Sequence, residues 1–139
     1  MKRNRLREQD GLIRESIKIF AIIAIIAVAL LDTFSVFNAH RTVMGDANNA
    51  ASEALHTYVA TQSNLAEAQA SAVSFLRAHD DTMTKFWTQT PPTAQTLDFY
   101  VTAKRDVKTS VLKYGTHLPW IGKSVKSLLV QTGTGDTAQ

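Results

Sequence analysis

The alternation of hydrophobic and polar positions divides the chain into parts of different character. From Ile19 to Leu31 every residue is apolar, and after Asp32 the run resumes through Phe34, Val36 and Phe37 to Ala39. Counted over residues 17–39, this approaches the ~20 residues that a helix needs to cross ~30 Å of hydrocarbon. Isoleucine and valine are indifferent helix formers in water. In lipid, however, the backbone must satisfy its own polar groups, and a helix does so within one segment. The pattern predicts a transmembrane helix over 17–39, behind a basic leader, 1–16.

The next stretch changes period. Between Thr42 and Ala78 there is no proline, the one glycine is Gly45, and alanine recurs throughout, as in "ANNAASEALHTYVA" from Ala47. Ala51, Leu55, Val59, Gln62, Ala66, Val73 and Leu76 approximate one face at helical spacing, with Glu53, Asn64, Glu67 and Arg77 off it. This predicts an Ala-rich extracytoplasmic helix over 40–79 that continues the span and is loosened at Gly45. Small residues on one face let another backbone approach, so that face suits either a neighbouring subunit or the C-terminal half of this chain. The second use is the expected one.

Beyond His79 the helical period stops. "TQTPPTAQT" at 88–96 is rich in breakers, so 80–96 is expected to be a linker. "LDFYVTAKR" then alternates, with Leu97, Phe99, Val101 and Ala103 on one side and Asp98, Tyr100, Thr102 and Lys104 on the other, which predicts a half-buried strand. Residues 106–114 fit a short helix stopped by Gly115, and 125–131 fit a second strand or short helix after a turn around Pro119 to Gly122. Residues 97–132 thus form a small module of about two strands and short helices, and the Gly/Thr-rich 133–139 is expected to be a flexible tail. The fold class is α+β.

Charge fixes an expected orientation. Lys2, Arg3, Arg5, Arg7 and Arg14 precede the span, whereas His40, Arg41 and Asp46 follow it, which favours a cytoplasmic N-terminus and an extracytoplasmic module. The net charge of +3 owes much to that N-terminal cluster, so it is not a nucleic-acid footprint. A cleaved secretion signal shares the basic start and apolar core. Phe37 is large for the position three before a cut at Ala39, though, and the apolar stretch exceeds the usual signal core. A retained anchor is the expected outcome. Asp32 interrupts that anchor, and an aspartate at mid-helix costs about 2.5–3.5 kcal/mol on insertion scales. Either the span ends at Leu31 and Asp32 is wet, or Asp32 makes an intramembrane polar contact with a partner helix.

The opening residues "DGLIRES" set against the apolar run resemble the N-terminus of type IV pilin-like proteins, in particular the TadE/TadG-like subunits of tight-adherence pilus systems. The shared features are the basic leader, Gly11, Glu15, the apolar helix and the Ala-rich continuation. The resemblance covers mainly the first half of the chain. It implies processing near Gly11 and Leu12 and a docking role for Glu15. A cut after Gly11 makes Glu15 the fourth residue of the mature chain, where the family has its glutamate fifth, so the protein is either processed atypically or an unprocessed relative that keeps its leader, and the second is expected. The first turn of a helix is also an ordinary place for a glutamate, favoured by the macrodipole. The resemblance further implies a non-enzymatic pilin-like, pseudopilin or accessory subunit in the inner membrane of a bacterium. Its partners would be the lipid bilayer and other pilin-like or assembly-machinery subunits, met as a homo- or hetero-oligomer through the N-terminal helix. The alternative is a membrane-tethered binding module of another envelope complex.

Chemistry is sparse. No pair among His40, His56, His79 and His117 has the spacing that brings two imidazoles to one metal, and His79-Asp80-Asp81 reads as a solvated helix end. "GTGD" lacks the lysine and following helix of a phosphate loop, no serine sits in a nucleophile elbow, and cysteine is absent. No cofactor, metal, nucleic acid or enzymatic activity is expected. "GTHLPWIG" reads as a turn with a buried Trp120, and Trp87 and Trp120 as core or membrane-interface aromatics. The lysines of the C-terminal part are solvated by default, and otherwise suit acidic headgroups, polymer or a partner.

Overall fold

The computed structural model describes residues 2–92, 97–117 and 119–137, with side chains described from Ile13 onward. Its order is α1 (Lys2–Ala60), α2 (Leu65–Ala78), β1 (Thr82–Gln89), β2 (Asp98–Asp106), α3 (Leu112–Gly115), α4 (Gly122–Leu128) and β3 (Val130–Asp136). The class is α+β, as the sequence predicts: a long N-terminal helix with an apolar first part, followed by a small sheet and short helices. At 1.5 Å per residue, the 59 residues of α1 extend about 88 Å.

The Ala-rich stretch forms two helices instead of one. α1 runs unbroken through Gly45, and the chain turns at residues 61–64, where Gln62 and Ser63 take the left-handed backbone (φ 54° and 77°). Asn64 then starts α2 by accepting the N–H groups of Ala66 (3.1 Å) and Glu67 (3.3 Å), while its amide donates to Glu67 Oε1 at 2.9 Å. That is an asparagine N-cap, which satisfies donors that a helix start leaves orphaned. α2 packs back on α1, with Ala68, Ala72 and Leu76 buried at i, i+4 and i+8 against a face that holds Ala47, Ala50, Ala51 and Ala54. Val59 and Gln62 of the expected face lie outside this seam and are exposed.

Three antiparallel strands, in the order β1-β2-β3, lie on the same helices. β2 keeps its predicted alternation: Phe99, Val101 and Ala103 are fully buried, and Tyr100 and Thr102 face the other way, where Tyr100 stacks on Trp87 at 5.2 Å. β1 occupies 82–89, the front of the expected linker, and Phe86 reaches the core from it. β3 extends to Asp136, so four residues of the expected flexible tail are a sheet edge. Gly133 and Gly135 face α1 so closely that a methyl on Gly133 would lie 2.7 Å from Met44 backbone, and one on Gly135 2.5 Å from the Ala47 carbonyl oxygen. Alanine on the helix and glycine on the strand bring two backbones together with little side chain between them.

The expected helix over 106–114 shrinks to the single turn α3, because β2 carries through Asp106 and residues 107–109 are in neither helix nor strand. α4 and β3 divide the ambiguous 125–131 between them.

Candidate functional site

Three features of α1 have functional potential. The first is its apolar half. Phe20 is 72 % exposed and Ile17 62 %, and the other isoleucines and leucines of 13–31 are likewise bare, with Val28 half-buried. By length and composition this helix can cross a membrane. From Ile13 to Ala27 every residue is exposed, whereas the portion from Val43 onward has one face sealed by the sheet and α2. The stripe Leu30, Phe34 and Phe37, at i, i+4 and i+7, continues the bare surface past Asp32 on one side of the helix.

The second feature is Asp32, which is only 4 % exposed. Its carboxylate accepts the backbone N–H groups of Ser110 (2.9 Å), Val111 (2.6 Å) and Leu112 (2.9 Å), the entry to α3. Three convergent amides are a strong anion cradle, so Asp32 is neither wet nor free for a partner helix. It latches residues 110–112 to the end of the apolar run. Sequence distance hid this contact, since 78 residues separate Asp32 from Ser110.

The third is a node around Arg105. Its Nε donates to Asp81 Oδ1 at 2.5 Å, and Nη2 donates both to Asp46 Oδ2 at 2.8 Å and to the His79 carbonyl at 2.6 Å. One guanidinium thereby joins α1, the α2–β1 turn and β2, using the planar fork that suits arginine to carboxylates. Burial pushes the Asp81 carboxyl above the usual range against the pull of Arg105, and the bond to Asp81 raises the Arg105 guanidinium. The other Asp81 oxygen is buried without a partner. Asp80 takes the left-handed backbone (φ 61°) that turns the chain into the node.

Beside the node lies an open cleft of about 610 Å³ between α1 (Ser35, Asn38, Thr42) and the end of β2 with the residues that follow it (Lys104, Asp106, Lys108). Its charges compensate each other: Arg105 is committed to two carboxylates and Lys104 lies 3.8 Å from Asp106. His79 stacks on Phe75 and its Nδ1 meets the Phe75 carbonyl at 2.8 Å, while Asp81 turns to Arg105, so the His79-Asp80-Asp81 run does not converge. Among the described residues no group of three histidine or acidic side chains could hold a metal.

Of the residues expected to carry processing and docking, Glu15 is exposed on α1, and Gly11 and Leu12 lie where side chains are outside the described residues. The structure does not bring Glu15 and Asp32 together; about 25 Å of helix separates them at 1.5 Å per residue. Trp120, expected to be buried in its turn, is 79 % exposed. No protein-family model, no curated protein and no solved structure matches the chain.

Proposed function

We propose that this is a single-pass membrane protein with a cytoplasmic N-terminus and an extracytoplasmic head, acting without catalysis as a pilin-like or accessory subunit of a tight-adherence-type pilus or secretion assembly in a bacterial inner membrane. The observation that carries this reading is the division of α1 into a bare apolar half and a sealed half. Residues 13–31 span about 28 Å at 1.5 Å per residue, which matches the hydrocarbon thickness. The unbroken helix would transmit contacts made in the bilayer rigidly to the head.

Ala47, Ala50, Ala51 and Ala54 of the Ala-rich stretch pack inside the fold. Contact between subunits falls to residues 13–31, by van der Waals packing of the kind that drives helix association in lipid, and continues beyond the span along the exposed Leu30, Phe34, Phe37 stripe. A second reading, a membrane-tethered binding module, is favoured by the occupied state of Asp32, whose carboxylate is taken up by residues 110–112 and is not presented to a partner helix.

The natural absence of cysteine makes the test direct. Single cysteines placed from Ile25 to Phe37 and oxidised in native membranes should give disulfide-linked oligomers at Leu30, Phe34 and Phe37 and few at positions between them. No cross-link at any position favours the tethered module. The N-terminal residue of the extracted protein adds a second criterion: a start at Gly11 or Leu12 supports pilin-type processing, an intact Met1 supports a permanent anchor, and a start at His40 contradicts any anchor. Unchanged assembly of Glu15→Ala would remove the docking role from Glu15.

A further inference from the structure

We propose that residues 107–129, the connection between β2 and β3, form a lipid-binding collar that lies in the headgroup layer around the point where α1 leaves the bilayer. The inference rests on residues 13–31 spanning the membrane and adds a second, peripheral contact with the same bilayer.

Position along α1 carries the first part of the argument. Gly135 packs at Ala47 and Asn48, Gly133 at Val43 and Met44, and residues 110–112 at Asp32. The order descends α1 toward its apolar half, and Asp32 lies about 16 Å below Val43 at 1.5 Å per residue. The hydrogen bond from Val107 N–H to the Leu129 carbonyl, 2.7 Å, closes the two ends of the connection at the bottom of the sheet. Residues 110–112, and α3 that starts from them, are thus held at the level where the apolar run stops.

Composition carries the second part. The connection contains Lys108, Lys113, Lys123 and Lys126 and no aspartate or glutamate, so it holds four positive charges while the whole chain nets +3. Basic side chains beside a span are attracted to anionic headgroups.

The third part is what the connection leaves uncovered. Among its described residues Val125 is the one buried hydrophobic side chain, whereas Trp120 is 79 % exposed, Tyr114 65 %, Leu128 47 % and Val111 37 %. Gly122 lies against the Thr116 carbonyl and Gly115 against Val125, so α3 and α4 close on each other through glycines and turn their larger side chains outward. Tryptophan and tyrosine with lysine are the residues that settle at membrane interfaces, where the ring stays in the acyl boundary and the polar tip or ammonium reaches water. Trp87 supplies an internal contrast: it pairs with Tyr100, which pairs with Asp136 near Asn48, about 24 Å farther from the span at 1.5 Å per residue.

The test uses the full chain reconstituted in vesicles, as Trp87→Phe and as Trp120→Phe, so that each variant reports one indole. In phosphatidylcholine vesicles containing phosphatidylglycerol, Trp120 should show blue-shifted emission, quenching by lipids brominated near the headgroup, and loss of quenching by aqueous iodide. Trp87 should show the opposite pattern. Lys113→Gln/Lys123→Gln/Lys126→Gln should remove the dependence of the Trp120 signal on phosphatidylglycerol. Water-like Trp120 emission with full iodide quenching, in protein that floats with the vesicles and resists alkaline extraction, overturns the collar while leaving the span intact. Protein that neither floats nor resists extraction overturns the span itself.

Discussion

Replacing Gly135 by alanine isolates the closest seam in the molecule. The added methyl would meet the Ala47 carbonyl oxygen at 2.5 Å and other α1 backbone atoms closer still, whereas ordinary van der Waals contact begins at 3.4 Å. β3 must therefore move away from α1 by about 0.9 Å or more, and no obstructing atom belongs to a side chain that could rotate aside. Overpacking a tight contact costs about 1–3 kcal/mol and occasionally more, and a backbone obstruction belongs at the top of that range, so we expect Gly135→Ala to cost ~3 kcal/mol. Gly45→Ala is the matched control. No atom lies within 4 Å of the added methyl, and the position is interior to α1, so alanine should stabilise by about 0.5–1 kcal/mol. The assay is urea unfolding of the full chain in detergent micelles, followed by near-UV circular dichroism of the stacked Trp87 and Tyr100, because far-UV signal is dominated by α1. A Gly135→Ala protein within about 0.5 kcal/mol of the parent would refute the close seam between β3 and α1.

Other consequences follow from the polar contacts. Asp32→Ala should abolish hydrogen-exchange protection of the Ser110, Val111 and Leu112 amides while sparing β2; retained protection would show that these amides do not depend on the carboxylate. Arg105→Ala leaves Asp46 and Asp81 without their cation and should destabilise the head by on the order of 3 kcal/mol in the same unfolding assay. Because burial raises the Asp81 carboxyl, its contribution to stability is fully present below the unfolded value of about 3.9 and is lost as pH climbs through the raised folded value. Asp81→Asn should flatten the fall in stability across that window, and a pH profile parallel to the parent's would remove Asp81 as its source. Asn64→Ala takes away the α2 cap and should cost ~1 kcal/mol, with fraying at the start of α2 visible by hydrogen exchange.

What the sequence made legible follows the range of the forces involved. The apolar run and the alternation in "LDFYVTAKR" are local, and α1 and β2 were readable from them. The turn at 61–64 was readable too: Asn64 and Glu67 have the capping-box spacing, but the surrounding alanines mask it, and no glycine or proline marks the break. β3 was hidden because Gly133 and Gly135 signal a mobile tail by composition. Their period-two spacing is that of a strand pressed against a helix, and a glycine becomes an inward-facing residue only when a partner backbone lies over it. β1 was overlooked because the prolines at 91 and 92 end it, so its eight residues were absorbed into the breaker-rich stretch beyond. The Asp32 latch and the Arg105 node join residues far apart in the chain, and no spacing rule foretells them. Each could be suspected only from the cost of leaving such a charge unpaired. Trp120 was misplaced for a related reason: a tryptophan in a turn is ordinarily a core anchor, but a connection with a single buried valine has no core to receive it.

We propose that residues 13–31 cross the bilayer with the head on the far side of the membrane from the N-terminus. Thiol labelling of single-cysteine variants in intact bacteria addresses it most directly, using Gln9→Cys, Ile25→Cys and Ser52→Cys with a membrane-impermeant maleimide. The account expects Ser52→Cys to react in intact cells once the reagent reaches the envelope space, Gln9→Cys only after the inner membrane is opened, and Ile25→Cys only after detergent. Labelling of Ile25→Cys in intact membranes, or reaction of Gln9→Cys and Ser52→Cys from the same side, would contradict it.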